Sequence, residues 1–70
     1  MKGVKSMFPN LNAEMARKNI SVSMLAKAIN VSEQTARRKL NGKAVFDLSE
    51  CKIVRDLVAP NMGLDDLFIA

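Results

Sequence analysis

Histidine, tryptophan and tyrosine are absent from this 70-residue chain, and cysteine occurs once. Without histidine or a second thiol, a zinc site would need unusual ligands, and an internal disulfide cannot form. The single Cys51 falls in an apolar-periodic segment, where a small thiol packs as a hydrophobe. No stretch approaches the ~18 consecutive apolar residues of a membrane helix. The opening MKGVKSMF carries two lysines but no apolar run of the kind a signal peptide needs. These absences predict a cytoplasmic protein with no membrane partner, no metal and no cofactor. They also disfavour an enzyme: there is no histidine base, no pattern of paired carboxylates, no glycine-rich phosphate loop, and so no small-molecule substrate to expect. Strand signals are missing as well, since no segment alternates apolar and polar residues over the roughly 4 to 8 positions a half-buried strand requires.

What is present is aliphatic. Hydrophobic residues make up 49% of the chain, with three phenylalanines as the only aromatics. A chain this short buries only about 60% of its unfolded surface, enough for one core. Leu, Ile, Val, Met and Ala favour helices, and the expected fold class is all-α with an aliphatic core. Charge is unevenly spread. Residues 1–43 hold nine basic side chains against Glu14 and Glu33, whereas residues 44–70 hold Lys52 and Arg55 against five acids. The net charge of +4 is therefore +7 in the first part and −3 in the second, a polarity that suits docking one face on a polyanion.

Helix signals follow in order. Pro9 can open a first helix, because its missing N–H is not needed there. Leu11 and Met15 share one face to about Lys18, and Asn19 can take the left-handed stop with Ile20 anchoring the turn. Ser21 caps a second helix to about Ile29, with Met24, Leu25, Ala28 and Ile29 at helical spacing. Ala26 lets a neighbouring helix approach, Asn30 accepts positive φ, and Val31 plugs the turn. Ser32 caps a third helix, Glu33 to Leu40, which Asn41-Gly42 ends. A loop pinned by Val45 and Phe46 leads to DLSE, a capping box for a fourth helix carrying Leu48, Cys51, Ile53, Val54, Leu57 and Val58. Pro60 stops it, and LDDLF forms a short fifth helix.

Two short helices, a tight turn and a serine cap meet the description of a helix-turn-helix over about residues 21–41. At ~100° per residue, Ala36 and Leu40 point inward while Glu33, Gln34, Arg37, Arg38 and Asn41 occupy an outer arc. These residue types read base edges: arginine grips guanine O6 and N7, glutamine pairs with adenine, and glutamate accepts from cytosine N4. Gln34 and Arg38 lead the candidates for base reading, followed by Glu33 and Arg37. The bland alternative makes them solvated helix surface, with Glu33 and Arg37 paired four residues apart. Phosphate contacts are expected at Ser21, Val22 and Ser23, through backbone amides at a helix start, and at Thr35, Asn41 and Lys43. Lys27 and Lys39 could join them or be solvated.

Residues 19–43, NISVSMLAKAINVSEQTARRKLNGK, resemble the helix-turn-helix of the phage Cro and repressor family, the lambda-repressor-like or Xre-type domain. Leu25-Ala26, Ile29, the turn at Asn30-Val31-Ser32 and the closing Asn41-Gly42-Lys43 carry the likeness. More loosely it covers residues 11–68, because SECKIVRDLVAPNMGLDDLF is similar to the family's closing helices. The resemblance implies a compact five-helix bundle that binds operator DNA, usually as a dimer. Three positions depart from the pattern: Val22 stands where glutamine is frequent, Asn30 where glycine is common, and Lys39 where relatives are often apolar.

The expectation is an arm over residues 1–8 and a helix-turn-helix DNA-binding domain over 9–70, acting as a phage- or mobile-element-like transcriptional regulator. Its partners would be double-stranded DNA and a second copy of itself, at least on DNA. Phe68 and Ile69 are the candidates for the subunit contact. The competing class is a protein-interaction module, an antitoxin or docking domain, with the apolar tail Leu64, Leu67, Phe68 and Ile69 as its surface. Such a module would have no need of arginines on the third helix.

Overall fold

Each of the first three helices ends in the same way, and this repetition sets the architecture. The computed structural model describes residues 7–69; residues 1–6 of the expected arm, and Ala70, lie outside the described residues. Helix α1 spans Pro9–Arg17, α2 Val22–Ala28 and α3 Glu33–Leu40. After them stand Asn19 at φ 56°, Asn30 at φ 59° and Gly42 at φ 80°, all in the left-handed region. The amides that follow reach back over the helix ends: Ile20 N–H to the Met15 carbonyl, Val31 to Ala26 and Lys43 to Arg38, at 2.9, 2.9 and 2.8 Å. These bonds satisfy carbonyls that a helix end otherwise leaves open, and they reverse the chain sharply. Ile20 and Val31 then turn into the core, half-buried. Val31 is thus a partial plug, less enclosed than the expected one.

The helix starts are equally specified. Ser21 Oγ accepts from the Met24 amide and Ser32 Oγ from the Thr35 amide, both at 3.1 Å. Asp47 accepts from the Glu50 amide at 2.7 Å while Glu50 accepts from the Asp47 amide at 3.1 Å, closing the capping box of α4, Leu48–Val58. Each such cap contributes about 0.5–2 kcal/mol. Helix α5 is a single turn, Leu64–Leu67, with Phe68 as its C-cap. No strand occurs among the described residues, and five helices form the bundle, in keeping with the expected fold class.

Leu11, Leu25, Val54, Val58 and Leu67 are fully enclosed and join all the helices except α3, which seats Ala36 and Leu40 against them. The core is less purely aliphatic than composition suggests. Phe8, Phe46 and Phe68 stack in a triangle with ring centroids 5.4–5.9 Å apart. The rings, two pairs edge-on and the Phe8–Phe46 pair tilted, close the corner where the entry to α1, the α3–α4 loop and the end of α5 meet. Met7 and Phe8, expected in the arm, are engaged: the Met7 amide donates to the Leu40 carbonyl at 2.9 Å, and Phe8 caps α1.

Several apolar residues expected to face inward do not. Met24 is exposed on α2, and Leu48, Ile53 and Leu57 are exposed on α4. The reason is angular: an arc centred on Val54 and Val58 uses only part of an 11-residue helix, and apolar residues beyond its two flanks meet solvent. Val45 does not pin its loop and is 83% exposed, because Phe46, its neighbour, takes the inward position.

Candidate nucleic-acid interface

Ala36 and Leu40 hold α3 by its inner side, and the helix packs directly against α2, where Ala26 is buried. Eight residues rise about 12 Å, close to the ~12 Å width of a major groove. Glu33, Gln34, Arg37 and Arg38 are all exposed on the outer side. The Glu33 carboxylate and the Arg37 guanidinium pair at 2.8 Å along the helix, both about half-exposed. Such a pair stabilises a helix by only ~0.3–0.5 kcal/mol, so a better partner can take either group. The side chains of Gln34 and Arg38 have no hydrogen-bond or ionic partner among the described residues. Their amide and guanidinium are directed to solvent with their full bonding capacity.

The residues expected to contact phosphates differ in exposure and bonding. The Val22 and Ser23 amides, at the start of α2, have no acceptor among the described residues, while Ser21 is exposed and spends its hydroxyl on the cap. Thr35 is half-buried, and its Oγ accepts from Ser32 Oγ at 3.0 Å, which leaves the Thr35 hydroxyl proton free to donate elsewhere. Asn41 and Lys43 are exposed at the far end of α3. Of the sequence-expected subunit contacts, Phe68 is half-buried in the aromatic triangle and Ile69 is exposed.

Lys39 requires a correction. It is neither solvated nor available to a phosphate. Its ammonium donates to Glu50 Oε1 at 2.8 Å and to the Val45 carbonyl at 2.9 Å, 5.9 Å above the Phe46 ring. The side chains of Lys39 and Glu50 are only 12% and 15% exposed. Because the same Glu50 oxygen accepts the Asp47 amide, one carboxylate joins α3 to the start of α4. Sequence reasoning missed this tether, which joins residues eleven positions apart. It missed buried Glu14 too, which pairs with Arg17 at 2.6 Å and lies 4.0 Å from Lys18. Lys18 is further bonded to the Val58 carbonyl at the end of α4.

Positive charge is sorted by these contacts. Arg17, Lys18, Arg37, Lys39 and Arg55 are engaged by acids or carbonyls. Among the described residues, Lys27, Arg38, Lys43 and Lys52 are unpaired, and three of these four lie between α2 and the loop after α3. Cys51 is half-buried, and its thiol pKa is raised by burial first and then by Asp47 and Glu50, with Lys39 opposing. A thiol kept protonated in this way is a packing group, a poor nucleophile. No cluster of three or more candidate metal ligands occurs among the described residues. No helix there is long and apolar enough to cross a membrane.

Comparison with protein families gives a match over residues 10–50 to the Cro/C1-type helix-turn-helix DNA-binding domain. Comparisons with curated proteins and with solved structures gave no match.

Proposed function

The chain belongs to the Cro/C1-type helix-turn-helix DNA-binding domain family, and we propose that it is a sequence-specific transcriptional regulator, of the kind phages and mobile elements carry, that inserts α3 into the major groove of double-stranded DNA. The observation that carries this reading is the division of α3 into a seated side, Ala36 and Leu40, and an outer side on which Gln34 and Arg38 have no partner. Arg38 would take guanine O6 and N7 and Gln34 adenine N6 and N7, each good bidentate pair discriminating by ~1–3 kcal/mol. Glu33 and Arg37 read secondarily, since each must first give up the other. The Ser21, Val22 and Ser23 segment, Thr35, Asn41 and Lys43 would hold phosphates and set register without selecting sequence.

One domain measures 27 × 25 × 20 Å, whereas successive major grooves on one face of a duplex lie ~34 Å apart. A single copy therefore reads one half-site, and tight binding calls for two copies on a pseudo-palindromic operator.

The test begins with selection of bound duplexes from a random pool, followed by affinity measurements on a selected duplex. Arg38→Ala should weaken binding by ~1–3 kcal/mol and relax selectivity at one base pair. Gln34→Ala should do so at another. Both variants should unfold at the wild-type temperature, because neither side chain supports the fold. Equal loss on selected and random duplexes would refute base reading by these two residues.

A further inference from the structure

Glu14 on α1 is the buried acid of the described residues, and its two oxygens are treated differently. Oε2 accepts from Arg17 at 2.6 Å, whereas Oε1 stands 4.0 Å from the Lys18 ammonium, beyond hydrogen-bond reach, and has no donor among the described residues. A carboxylate oxygen sealed away without a donor would be costly. No side-chain oxygen of the described residues is both sealed and unbonded, so Oε1 opens to the outside. Glu14 and Lys18 line a cavity of about 370 Å³, within the ~300–1,000 Å³ of small-molecule sites. Asp66 lines it too, with a carboxylate that has no partner among the described residues, and Ala59, Pro60 and Met62 supply apolar wall. Its lining takes nothing from α2 or α3, which makes the cavity separate from the base-reading surface.

Gly63, on the same lining, is a glycine that the fold does not demand. Its φ of −70° and ψ of 152° suit any residue, and a Cβ there would meet nothing nearer than Asp66 Oδ2, at 3.6 Å. A serine or threonine at this N-cap would close the start of α5 as Ser21 closes that of α2, yet α5 has no side-chain cap. What glycine supplies instead is close approach to the backbone and to Asp66 from within the cavity.

We propose that this cavity binds a free α-amino acid with an apolar side chain. Charge makes the selection. Glu14 and Asp66 are balanced by Lys18 and by the Arg17 that holds Glu14, so the surroundings are neutral in sum and suit a ligand that is neutral in sum. The 4.0 Å gap between Glu14 Oε1 and Lys18 Nζ narrows the choice to a molecule whose opposite charges are neighbours. An α-amino acid carries both on one carbon. Its ammonium donates to Glu14 Oε1 and to Asp66, and its carboxylate accepts from Lys18, which has N–H groups to spare beside the one given to the Val58 carbonyl. The side chain lies against Pro60 and Met62. A lone cation would be repelled by Lys18 and a lone anion by Asp66. This site goes beyond the DNA-binding reading and does not depend on it.

The experiment titrates the isotope-labelled full chain, without DNA, with L-norleucine and follows its backbone amides by correlation NMR. Pentylammonium and hexanoate serve as probes that keep the same apolar stem and lack one of the two charges. Norleucine should give saturable shifts confined to the amides around residues 14–18 and 59–66, and each single-charge probe should bind at least ~10-fold more weakly, because it forfeits charge-assisted hydrogen bonds. Gly63→Thr places a side chain in the cavity while capping α5, and Asp66→Asn removes one anion from an exposed position. Both variants should melt no lower than the wild type and weaken norleucine by about 10-fold or more. Should Gly63→Thr fail to fold, Asp66→Asn decides alone. The inference is overturned by the absence of saturable shifts at millimolar norleucine, or by folded variants that bind it as the wild type does. Pentylammonium or hexanoate binding as tightly as norleucine would overturn it too, leaving a site for a single charge.

Discussion

Lys39→Met isolates the tether between α3 and α4. Methionine keeps the length and apolar stem of lysine, so contact with Phe46 survives while two hydrogen bonds are lost, to Glu50 Oε1 and to the Val45 carbonyl. A hydrogen bond involving a charged group is worth ~1.5–3 kcal/mol, and breaking a buried ion pair from one side costs ~3–5 kcal/mol. The cost here should fall below the second range for two reasons. Glu50 retains the Asp47 amide as a donor, and the carbonyl belongs to an exposed residue that water can reach. About 2 kcal/mol is the expected loss, which for a domain of this size lowers Tm by ~8–16 °C. Urea unfolding followed by far-UV circular dichroism measures it, with an unchanged slope if the denatured state is unaffected. Salt dependence of duplex binding supplies the second readout. An ammonium committed to Glu50 neutralises no phosphate, so Lys39→Met should leave the slope of log K against log salt unaltered, whereas a lysine that neutralises a phosphate takes ~0.9 from it when removed. Stability within ~0.5 kcal/mol of wild type, the range of an ordinary surface substitution, together with a slope reduced by one phosphate, would refute the tether and return Lys39 to the DNA.

Gly42→Ala should destabilise by ~1–2 kcal/mol, because φ of 80° lies in the region where a Cβ meets the following carbonyl oxygen. The added Cβ would also fall 2.3 Å from Met7 Sδ. Met7 is an exposed, flexible side chain that can swing aside, so backbone strain dominates, and the same urea titration reads it. Cys51 supplies a pH dependence. Its pKa is raised in the folded state, so the fold favours the protonated thiol, and that contribution is complete below the unfolded thiol's pKa. It is lost as pH rises through the folded value, and Cys51→Ser should remove this alkaline decline from the stability profile. Iodoacetamide should also alkylate the native protein more slowly than the urea-unfolded chain at pH 8.5, as mass spectrometry would show; equal rates would contradict the shift.

Local rules were legible in the sequence wherever the responsible atoms are close along the chain. Ser21, Ser32 and the Asp47–Glu50 box cap helices within four residues, and Asn19, Asn30 and Gly42 turn left where their side chains, or the lack of one, permit it. The outward set on α3 followed from periodicity, because Ala36 and Leu40 leave only one way to seat the helix. What could not be read depends on contacts across the fold. Lys39 finds Glu50 eleven positions away only after the α3–α4 loop has folded back, and nothing in the local pattern separates a tethered lysine from a solvated one. The aromatic triangle needs Phe8 and Phe68 brought from opposite ends of the chain. Val45 and Phe46 compete for one inward position, and their order is decided by the ring partners waiting inside.

The tether and the left-handed turns bear on recognition together. Base reading needs a helix held to a fraction of an ångström, yet α3 has only eight residues, too few to be stable alone. Its start is fixed by the Ser32 cap, its inner side by Ala36 and Leu40, and its end by three bonds: Lys43 and Ala44 amides to the Arg38 carbonyl, and Met7 amide to Leu40. Lys39 adds a lateral strut, so that rotation of α3 would break its bonds to Glu50 and to the Val45 carbonyl. That strut removes one cation from the DNA-facing supply. With Arg38 assigned to a base, Lys27 and Lys43 are the unpaired cations left between α2 and the loop after α3, and a domain neutralising two phosphates would gain a salt slope of only about −2, modest beside the ~6–10 contacts of strong binders. Rigidity has thus been favoured over charge: the same lysine that could have held a phosphate instead fixes the orientation of α3 against α4.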